Sequence, residues 1–528
     1  MTLRVLAESI PRSSDRCAAA PQALALALGF VLLQAPPVPA LDLDRDGYHR
    51  GESSREHPRW GDCDDRDPSV HPGSWDRSVD GADQDCDGLD GPAVDRWGGW
   101  TGMSLGSSGY FRVEEVEGRW WLVTPAGHPF FSTGVNAISF QGDYSPTRDR
   151  WPYWENNLER YGTDDAWRQE LFRRYQEWGL NTVGSWSEFS TLGDSLAYTV
   201  ILNLSGASWE EGDIPDYFAP EFETRCDEIA SDQCEPRNDD PDLIGWFLDN
   251  ELRWGPDYRR LQFLFDDYME LEPAAPGKIA LVDFLERFHG GEIDALNAFW
   301  RSDLSAFDEV HDVESLGQGT PAQSEAKEEF LLEAATRYYE VTTAAVRYYD
   351  PNHLVLGERL QAQLTHDEVL RASAPFVDVV SVNRYRLNAP AQITVRLADE
   401  LLFGTHLFVE GYGWFEQFHD LTGRPIMHTE FGYRALDSGM PNTWPPIYPT
   451  LLTQACRADW FERDARRSIR SRWVVGYHWF KHSDQPFFGR FDGEDNNFGL
   501  VDLHDEPYRA LVRRMAEVNR WWRLPEAR

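Results

Sequence analysis

Cysteine is scarce, six residues in 528, and no CxxC pair occurs, which excludes a zinc site built on paired thiols. The chain lacks the glycine-rich phosphate loop that an open nucleotide-binding sheet requires, and no apolar run is long enough to span a membrane. Basic residues are few: 50 Lys and Arg face 89 Asp and Glu, a formal net charge of -39. Such a surface repels phosphate, so nucleic acid and anionic membranes are excluded as partners, and heavily sulfated or uronate-rich polymers are disfavoured. Aromatic residues, by contrast, make up 13% of the chain, with 22 Trp. Most must be core, but Trp faces also stack on the apolar faces of sugar rings. The length allows a core domain of about 250 to 350 residues with an appended module.

Residues 1–40 read as a secretory signal peptide. Arg4, Arg12 and Arg16 precede the apolar run Ala23 to Leu33, and Val38-Pro39-Ala40 forms a small-x-small cleavage site. The mature chain is therefore expected outside the cytoplasm, secreted or at the cell surface. Cys17 is lost with this segment; Cys63 with Cys86 and Cys226 with Cys234 each flank an acidic stretch, so two local disulfides are expected, with Cys456 left over.

Residues 41–92 have a composition of their own. Asp42, Asp44 and Asp46 followed by Gly47 place oxygen ligands at alternate positions before a turn glycine, as calcium loops begin. Position 53 is Ser53 rather than the Glu of a helix-loop-helix calcium site, so this is not an EF-hand. The second half, DCDDRDPSVHPG through DGADQDCDG, resembles the Asp/Cys-rich metal-binding repeat of bacterial secreted proteins, itself similar to thrombospondin type 3 calcium repeats. Asp62, Asp64, Asp83, Asp85 and Asp87 join the first three aspartates as candidate ligands of a structural calcium. An acidic disordered linker is the competing reading.

From Trp97 to the end at residue 528 the sequence is ordinary globular. Residues 110 to 123 alternate around Glu117-Gly118 as a hairpin does. Eight strand-like runs follow: Phe130 to Ile138, Asn181 to Trp186, Thr199 to Leu204, Leu243 to Glu251, His353 to Leu360, Val377 to Tyr385, Pro425 to Phe431 and Trp473 to Phe480. Amphipathic stretches such as Asp165 to Trp178 and Ala326 to Tyr349 lie between them. Eight strands alternating with helices predict a (β/α)8 TIM barrel, with a helical insertion between Pro256 and Glu340 after the fourth strand.

The fourth and seventh runs each end on an acid, Glu251 in LIGWFLDNE and Glu430 in PIMHTEFG. In such a barrel the carboxyl-side strand ends carry the chemistry. Two carboxylates from different strands are the working parts of most glycosidases: one donates a proton to the leaving oxygen and the other attacks carbon or activates water. Asn250, Asn136, Trp186, Asn383, Tyr385, His428 and Trp479 fall at or near strand ends and are expected as substrate-binding groups, with Tyr385 donating to Glu430. Glu358, ending the fifth run, is the rival carboxylate and could instead pair with Arg359; Glu188 and Glu410 are expected to be solvated. The long segment from 482 to 502 after the eighth run, rich in aromatics, Gly, Asp and Asn, is expected to wall the cleft.

The Asn-Glu pair on strand four and the Glu on strand seven resemble clan A of the glycoside hydrolases. FFSTGVNAI (130 to 138), GLNTVGSWS (179 to 187), IGWFLDNELRWG (244 to 255), ALNAFWRSDLSAFDEV (295 to 310), DPNHLVLGERL (350 to 360), DVVSVNRY (378 to 385) and HTEFGYRALDSGMPNT (428 to 443) are similar, more narrowly, to glycoside hydrolase family 50, the β-agarases. The resemblance implies a retaining β-glycosidase acting on a galactose-containing polysaccharide or its oligosaccharides, with Glu251 as acid/base, Glu430 as nucleophile and no catalytic cofactor. Another clan A specificity, such as β-galactosidase or β-mannanase, or a non-catalytic carbohydrate-binding barrel, remains the alternative.

Overall fold

A computed structural model describes residues 48–50, most of 60–72, residues 74, 83, 84 and 86, and then 94–188, 196–317, 319–388 and 413–523. The expected signal segment and Asp42, Asp44, Asp46, Asp85 and Asp87 lie outside the described residues.

Eight parallel strands close into a barrel: β1 (Ser132–Val135), β2 (Thr182–Val183), β3 (Ala197–Ile201), β4 (Leu243–Asn250), β5 (Leu354–Gln361), β6 (Val380–Asn383), β7 (Ile426–Phe431) and β8 (Val474–Trp479). Six lie within their expected runs, while β5 extends one residue past its run and β3 begins two residues before its own. Closure is made by β8 on β1, with Gly476 beside Ser132 and Trp479 beside Val135. The strands read as unbroken apolar runs because both faces are covered: in β4, Ile244 and Phe247 fill the barrel interior while Trp246 and Leu248 pack under the outer helices. Inside the barrel, a Cβ on Gly134 would lie 2.4 Å from the ring of His478, so the imidazole occupies the space that the glycine leaves.

The amino-terminal end of the barrel is plugged by the hairpin. Arg112–Val116 and Arg119–Val123 pair antiparallel through a turn in which both Glu117 (φ 52) and Gly118 (φ 77) are left-handed, as a type I′ turn demands. Phe111, Leu122 and Phe130 then pack with Ala197, Ile244 and Val475 at the strand starts. Polar side chains converge at the other end.

The expected insertion spans 256 to 320, and the helix Pro321–Tyr349 that follows is the barrel's own, started by a capping box between Thr320 and Gln323. The inserted helices Leu264–Met269, Pro276–Phe288 and Ile293–Trp300 share the outer core through Phe265, Leu285 and Trp300. Two buried lysines tie the insertion down. Lys278 Nζ donates to the carbonyls of Met269 (2.5 Å) and Val313 (2.6 Å), and Lys327 Nζ, from the barrel helix, to both carboxylate oxygens of Asp266 (2.6 and 2.7 Å).

Two sulfur assignments need correction. Cys63 and Cys86 are bonded, with Cα atoms 5.6 Å apart. Cys226 and Cys234 are free and buried, because the stretch between them is the helix Pro220–Gln233 and not a loop. Eight helical residues separate the two by roughly 12 Å, well beyond the reach of a disulfide. Cys456, expected to be left over, is disulfide-bonded.

Burial raises the Asp266 carboxyl and lowers the Lys327 amine, so desolvation outweighs their mutual attraction. Replacing Lys327 alone, as in Lys327→Met, strands a buried carboxylate and is expected to destabilise by about 3 kcal/mol or more. The double variant Asp266→Leu/Lys327→Met should recover most of that loss, read as the order of melting temperatures: wild type and double variant together, single variant well below.

Candidate active site

Strand register brings the polar ends together. Asn250 on β4 lies beside Arg359 on β5, Gln361 on β5 beside Asn383 on β6, and Asn383 beside Glu430 on β7. Four neighbouring strands thus deliver one cluster at the carboxyl-side mouth, where the (β/α)8 fold carries chemistry.

Glu251 directly follows β4 with φ 51, a left-handed conformation costly for a residue with a side chain. Its N–H donates to the carbonyl of Arg359 (3.0 Å), and its own carbonyl accepts from Arg259 Nη1 (2.6 Å). The carboxyl accepts from Asn383 Nδ2 at Oε1 (2.9 Å) and from Gln361 Nε2 at Oε2 (2.6 Å). Its donors are neutral amides. Burial pushes its pKa up, and the charge of Glu430 pushes it in the same direction.

Glu430 has different partners. Its Oε1 pairs with Arg359 Nη2 (2.8 Å) and its Oε2 accepts from the Tyr385 hydroxyl (2.9 Å), a set that suits an anion. The same guanidinium donates from Nη1 to Asn250 Oδ1 (2.9 Å) and from Nη2 to the Thr429 carbonyl (3.0 Å). Asn383 Nδ2 also reaches Asn250 Oδ1 (3.1 Å). With that oxygen occupied twice, the amide orientation of Asn250 is set and its Nδ2 is the group left to donate elsewhere. Chemically, the arrangement sets a carboxyl held by neutral amides and pushed up beside one held by a guanidinium and a phenol, an asymmetry of the kind that acid/base and nucleophilic catalysis require.

Left-handed residues ring this mouth: Ala137, Trp186, Asn203 and Glu251, φ from 51 to 63, follow β1, β2, β3 and β4 in turn. Trp186 turns its ring outward, 39% exposed, 5.9 Å from the Arg359 guanidinium. Tyr385 is partly buried and Asn383 almost wholly so.

Three expected contact residues do not face the mouth. Asn136 is fully buried and donates to the Thr429 carbonyl (2.8 Å); a Cβ on Gly184 would lie 2.3 Å from its Oδ1. His428 points out of the barrel, 4.7 Å from the ring of Phe431 and 5.5 Å from that of Trp414, and burial lowers its pKa to about 3. Trp479 also points outward, against Phe431 and Phe461, with its indole N–H on the Phe498 carbonyl (2.9 Å). Sequence position gave the strand end but not the face. Conversely, Arg359 and Gln361 belong to the site although strand-end position did not mark them; the available signal was a guanidinium within a buried strand.

Glu358 does not pair with Arg359, because the two point to opposite faces of β5. Its carboxyl accepts from the Leu252 N–H (2.8 Å) and the Trp254 indole N–H (2.7 Å), behind the turn that carries Glu251. Glu188 accepts from the Ser139 hydroxyl (2.6 Å), and Glu410 lies outside the described residues.

For metals, Glu328, His366 and Glu368 bring ligand atoms within 4.8 Å of one another. His366 Nδ1 already meets both Glu328 oxygens (3.1 and 2.9 Å), and its Nε2 has no acceptor among the described residues, whereas a metal-bound imidazole donates its second N–H. The trio reads as an ion pair. In the amino-terminal module, Asp62, Asp64 and Asp83 offer carboxylate oxygens while both module cysteines are spent in a disulfide, a donor set that fits a hard, oxygen-preferring cation.

Burial holds the Glu358 pKa up at about 8, and the charge of Asp249 adds to the shift. A raised carboxyl favours the fold most below its unfolded value near 4.5, and that contribution is lost as pH rises to about 8. Glu358→Gln should therefore flatten the decline of melting temperature between these two pH values relative to wild type. An unchanged slope would place the titration elsewhere.

Residues 62–90 match the Cu-binding_MopE family model, described as "Putative metal-binding motif". The chain is 27% identical to β-agarase A of Vibrio sp. (strain JT0107), over 77% of this chain and 45% of that protein. To β-agarase B of the same strain it is 24% identical, over 81% of this chain and 50% of that protein. The chain thus spans about half the length of the curated relatives it matches. Among solved structures, an exo-β-agarase aligns with TM-score 0.68 at 26% identity, covering 82% of this chain and 67% of that one. The agarase AgWH50C aligns with TM-score 0.68 at 25% identity, covering 81% and 67%. Over about four fifths of its length this chain, a (β/α)8 barrel with its attached elements, is similar to β-agarases.

Proposed function

We propose that the chain is a secreted, retaining β-glycosidase of clan A that hydrolyses a galactose-containing polysaccharide, agarose first among the candidates. The observation that carries the reading is the contrast between its two carboxyls: Glu251 held by amides and pushed up, Glu430 held by a guanidinium and a phenol. The similarity to β-agarases supports the substrate class. The acidic surface suits a neutral polymer better than a sulfated one.

In the first step Glu430 attacks the anomeric carbon. The glycosidic C–O bond breaks, its electron pair goes to the leaving oxygen, and Glu251 supplies that oxygen's proton. In the second step Glu251 takes a proton from water as the oxygen of that water attacks the same carbon and releases Glu430. Two inversions give net retention, a route that in retaining glycosidases generally goes with carboxyls about 5 to 5.5 Å apart. Asn250 Nδ2 donates to the sugar's 2-hydroxyl, a contact that strengthens as positive charge grows at the anomeric centre. Trp186 offers its exposed face to a neighbouring sugar ring. The mechanism uses no cofactor. The amino-terminal module holds a structural metal ion, and its carboxylate donors favour calcium over the copper of the family's name.

Purified chain incubated with agarose, a galactan and a mannan tests substrate and mechanism together. Wild type should release short agarose oligosaccharides with retained anomeric configuration by NMR, and Glu430→Ala should release none. Glu251→Ala should be slowed roughly 10²- to 10⁴-fold and, given azide, form a β-glycosyl azide. Inverted product would remove the nucleophile assignment, and cleavage of another polymer alone would move the specificity. No cleavage of any polymer would favour a binding protein.

Chelation is expected to lower the melting temperature while leaving turnover in the cold intact. Loss of turnover from a still-folded chain would contradict the structural role of the metal.

A further inference from the structure

The loop after β8 makes two consecutive tight turns, closed by Gly489 N–H on the Pro486 carbonyl (2.9 Å) and Gly493 N–H on the Arg490 carbonyl (3.0 Å). Phe487 and Phe488 are the central residues of the first turn, and Phe491 leads the second. Their side chains project outward, 47%, 49% and 63% exposed. The loop is braced: Arg490 pairs with Asp492 (2.7 Å) and Glu494 (3.0 Å), and Gln485 and Asn496 bond to each other twice (3.2 and 2.8 Å). A second loop, following β7, is fastened to it. Asp495 accepts the N–H groups of Thr443 (2.7 Å) and Trp444 (3.2 Å), and Asn496 Nδ2 donates to the Trp444 carbonyl (2.7 Å). Trp444, 53% exposed, thereby becomes the fourth ring on the same tip.

Four aromatic rings on braced turns, open to water among the described residues, are what a preformed binding surface looks like. We propose that this tip is a polysaccharide-holding surface outside the catalytic centre, its rings lying against the faces of successive sugars of a neutral chain. The inference rests on the glycosidase reading above.

Two observations choose this occupant. The tip is continuous with the candidate active site: Arg490 lies 5.7 Å from the ring of Phe480, which lies 6.3 Å from that of Tyr385, the donor to Glu430. The charge of Arg490 is matched by Asp492 and Glu494, and the Arg148 guanidinium lies against the Phe488 ring at 3.8 Å, so among the described residues the tip offers an anionic polymer no array of cations and presents the rings of Phe487, Phe491 and Trp444 to a neutral one.

The test uses the full chain carrying Glu430→Ala, so that the polymer survives, electrophoresed through native gels containing low-gelling agarose. Retardation is compared with the same chain bearing Phe487→Ser/Phe488→Ser or Phe491→Ser. Expected is about a tenfold weaker apparent affinity for the double substitution. In the otherwise wild-type enzyme, those substitutions should leave melting temperature unchanged and kcat/KM on a short soluble oligosaccharide within about twofold, while slowing attack on gelled polymer. Unchanged retardation overturns the proposal. So does an equal fall on oligosaccharide and polymer, which would make the rings catalytic subsites. A parent chain that dimerises by light scattering while the substituted chain does not would assign the surface to a second copy. If wild type cleaves agarose and the surface fails these tests, only the surface is lost; if it neither cleaves nor binds any of the three polymers, both readings fall.

Discussion

The barrel mouth depends on one buried cation. Arg359 is wholly inaccessible, yet its guanidinium pairs with Glu430, donates to Asn250 and reaches the Thr429 carbonyl. A buried charge is tolerated only where partners meet it at good geometry. The register of β4, β5 and β7 must therefore bring those partners to one place, and a slip of one residue on any of the three strands would turn a partner away. The cation also links two strands that are not neighbours: Asn250 beside Glu251 on one side, Glu430 on the other. The barrel's register thus fixes Glu430 and the residue before Glu251 through one side chain.

Glu251 is placed differently. The left-handed turn at its own backbone lifts it off the strand, and that turn is fixed from behind by the Arg359 carbonyl, by Arg259 and by Glu358 through Leu252 and Trp254. Left-handed non-glycine residues cost of order 1 kcal/mol or more and persist where surroundings over-determine them. Their succession after β1 through β4 matches a mouth shaped by side chains that must stand up from the rim, while the plugged end shows ordinary core packing.

Much of this was legible in sequence, for identifiable reasons. Parallel barrel strands are covered on both faces, so they show as apolar runs, and all eight could be read that way. The acids ending β4 and β7 stood out because polar residues close such runs. What could not be read was direction. His428 and Glu430 share a parity on β7, but the pairing with β8 shifts register between His428 and Phe431, so the histidine turns to Trp414 while the acid faces the mouth. Trp479 simply shares the outward face of Tyr477, both rings packing on Phe461. The Cys226–Cys234 stretch, acidic and polar, resembles a loop in composition; only its amphipathic burial of Phe222, Cys226 and Ala230 marks it as a helix. Arg359 is the instructive omission, since a lone cation in a buried strand demands a carboxylate, and the nearest candidate in sequence, Glu358, points the other way.

Two acids outside the barrel, Asp249 on β4 and Glu358 on β5, explain why that direction matters. Glu358 and Asp249 are both buried and both raised, to about 8 and about 6, and each accepts hydrogen bonds only from neutral donors among the described residues. An outward Arg359 would leave Glu430 without its guanidinium. The bulge in β5 between Gly357 and Arg359, where Gly357 is left-handed at φ 73, settles the choice: it rotates the strand so that the cation enters the barrel and the acid stays behind it. A local backbone irregularity thus decides which carboxyl meets the guanidinium and which is left with neutral donors.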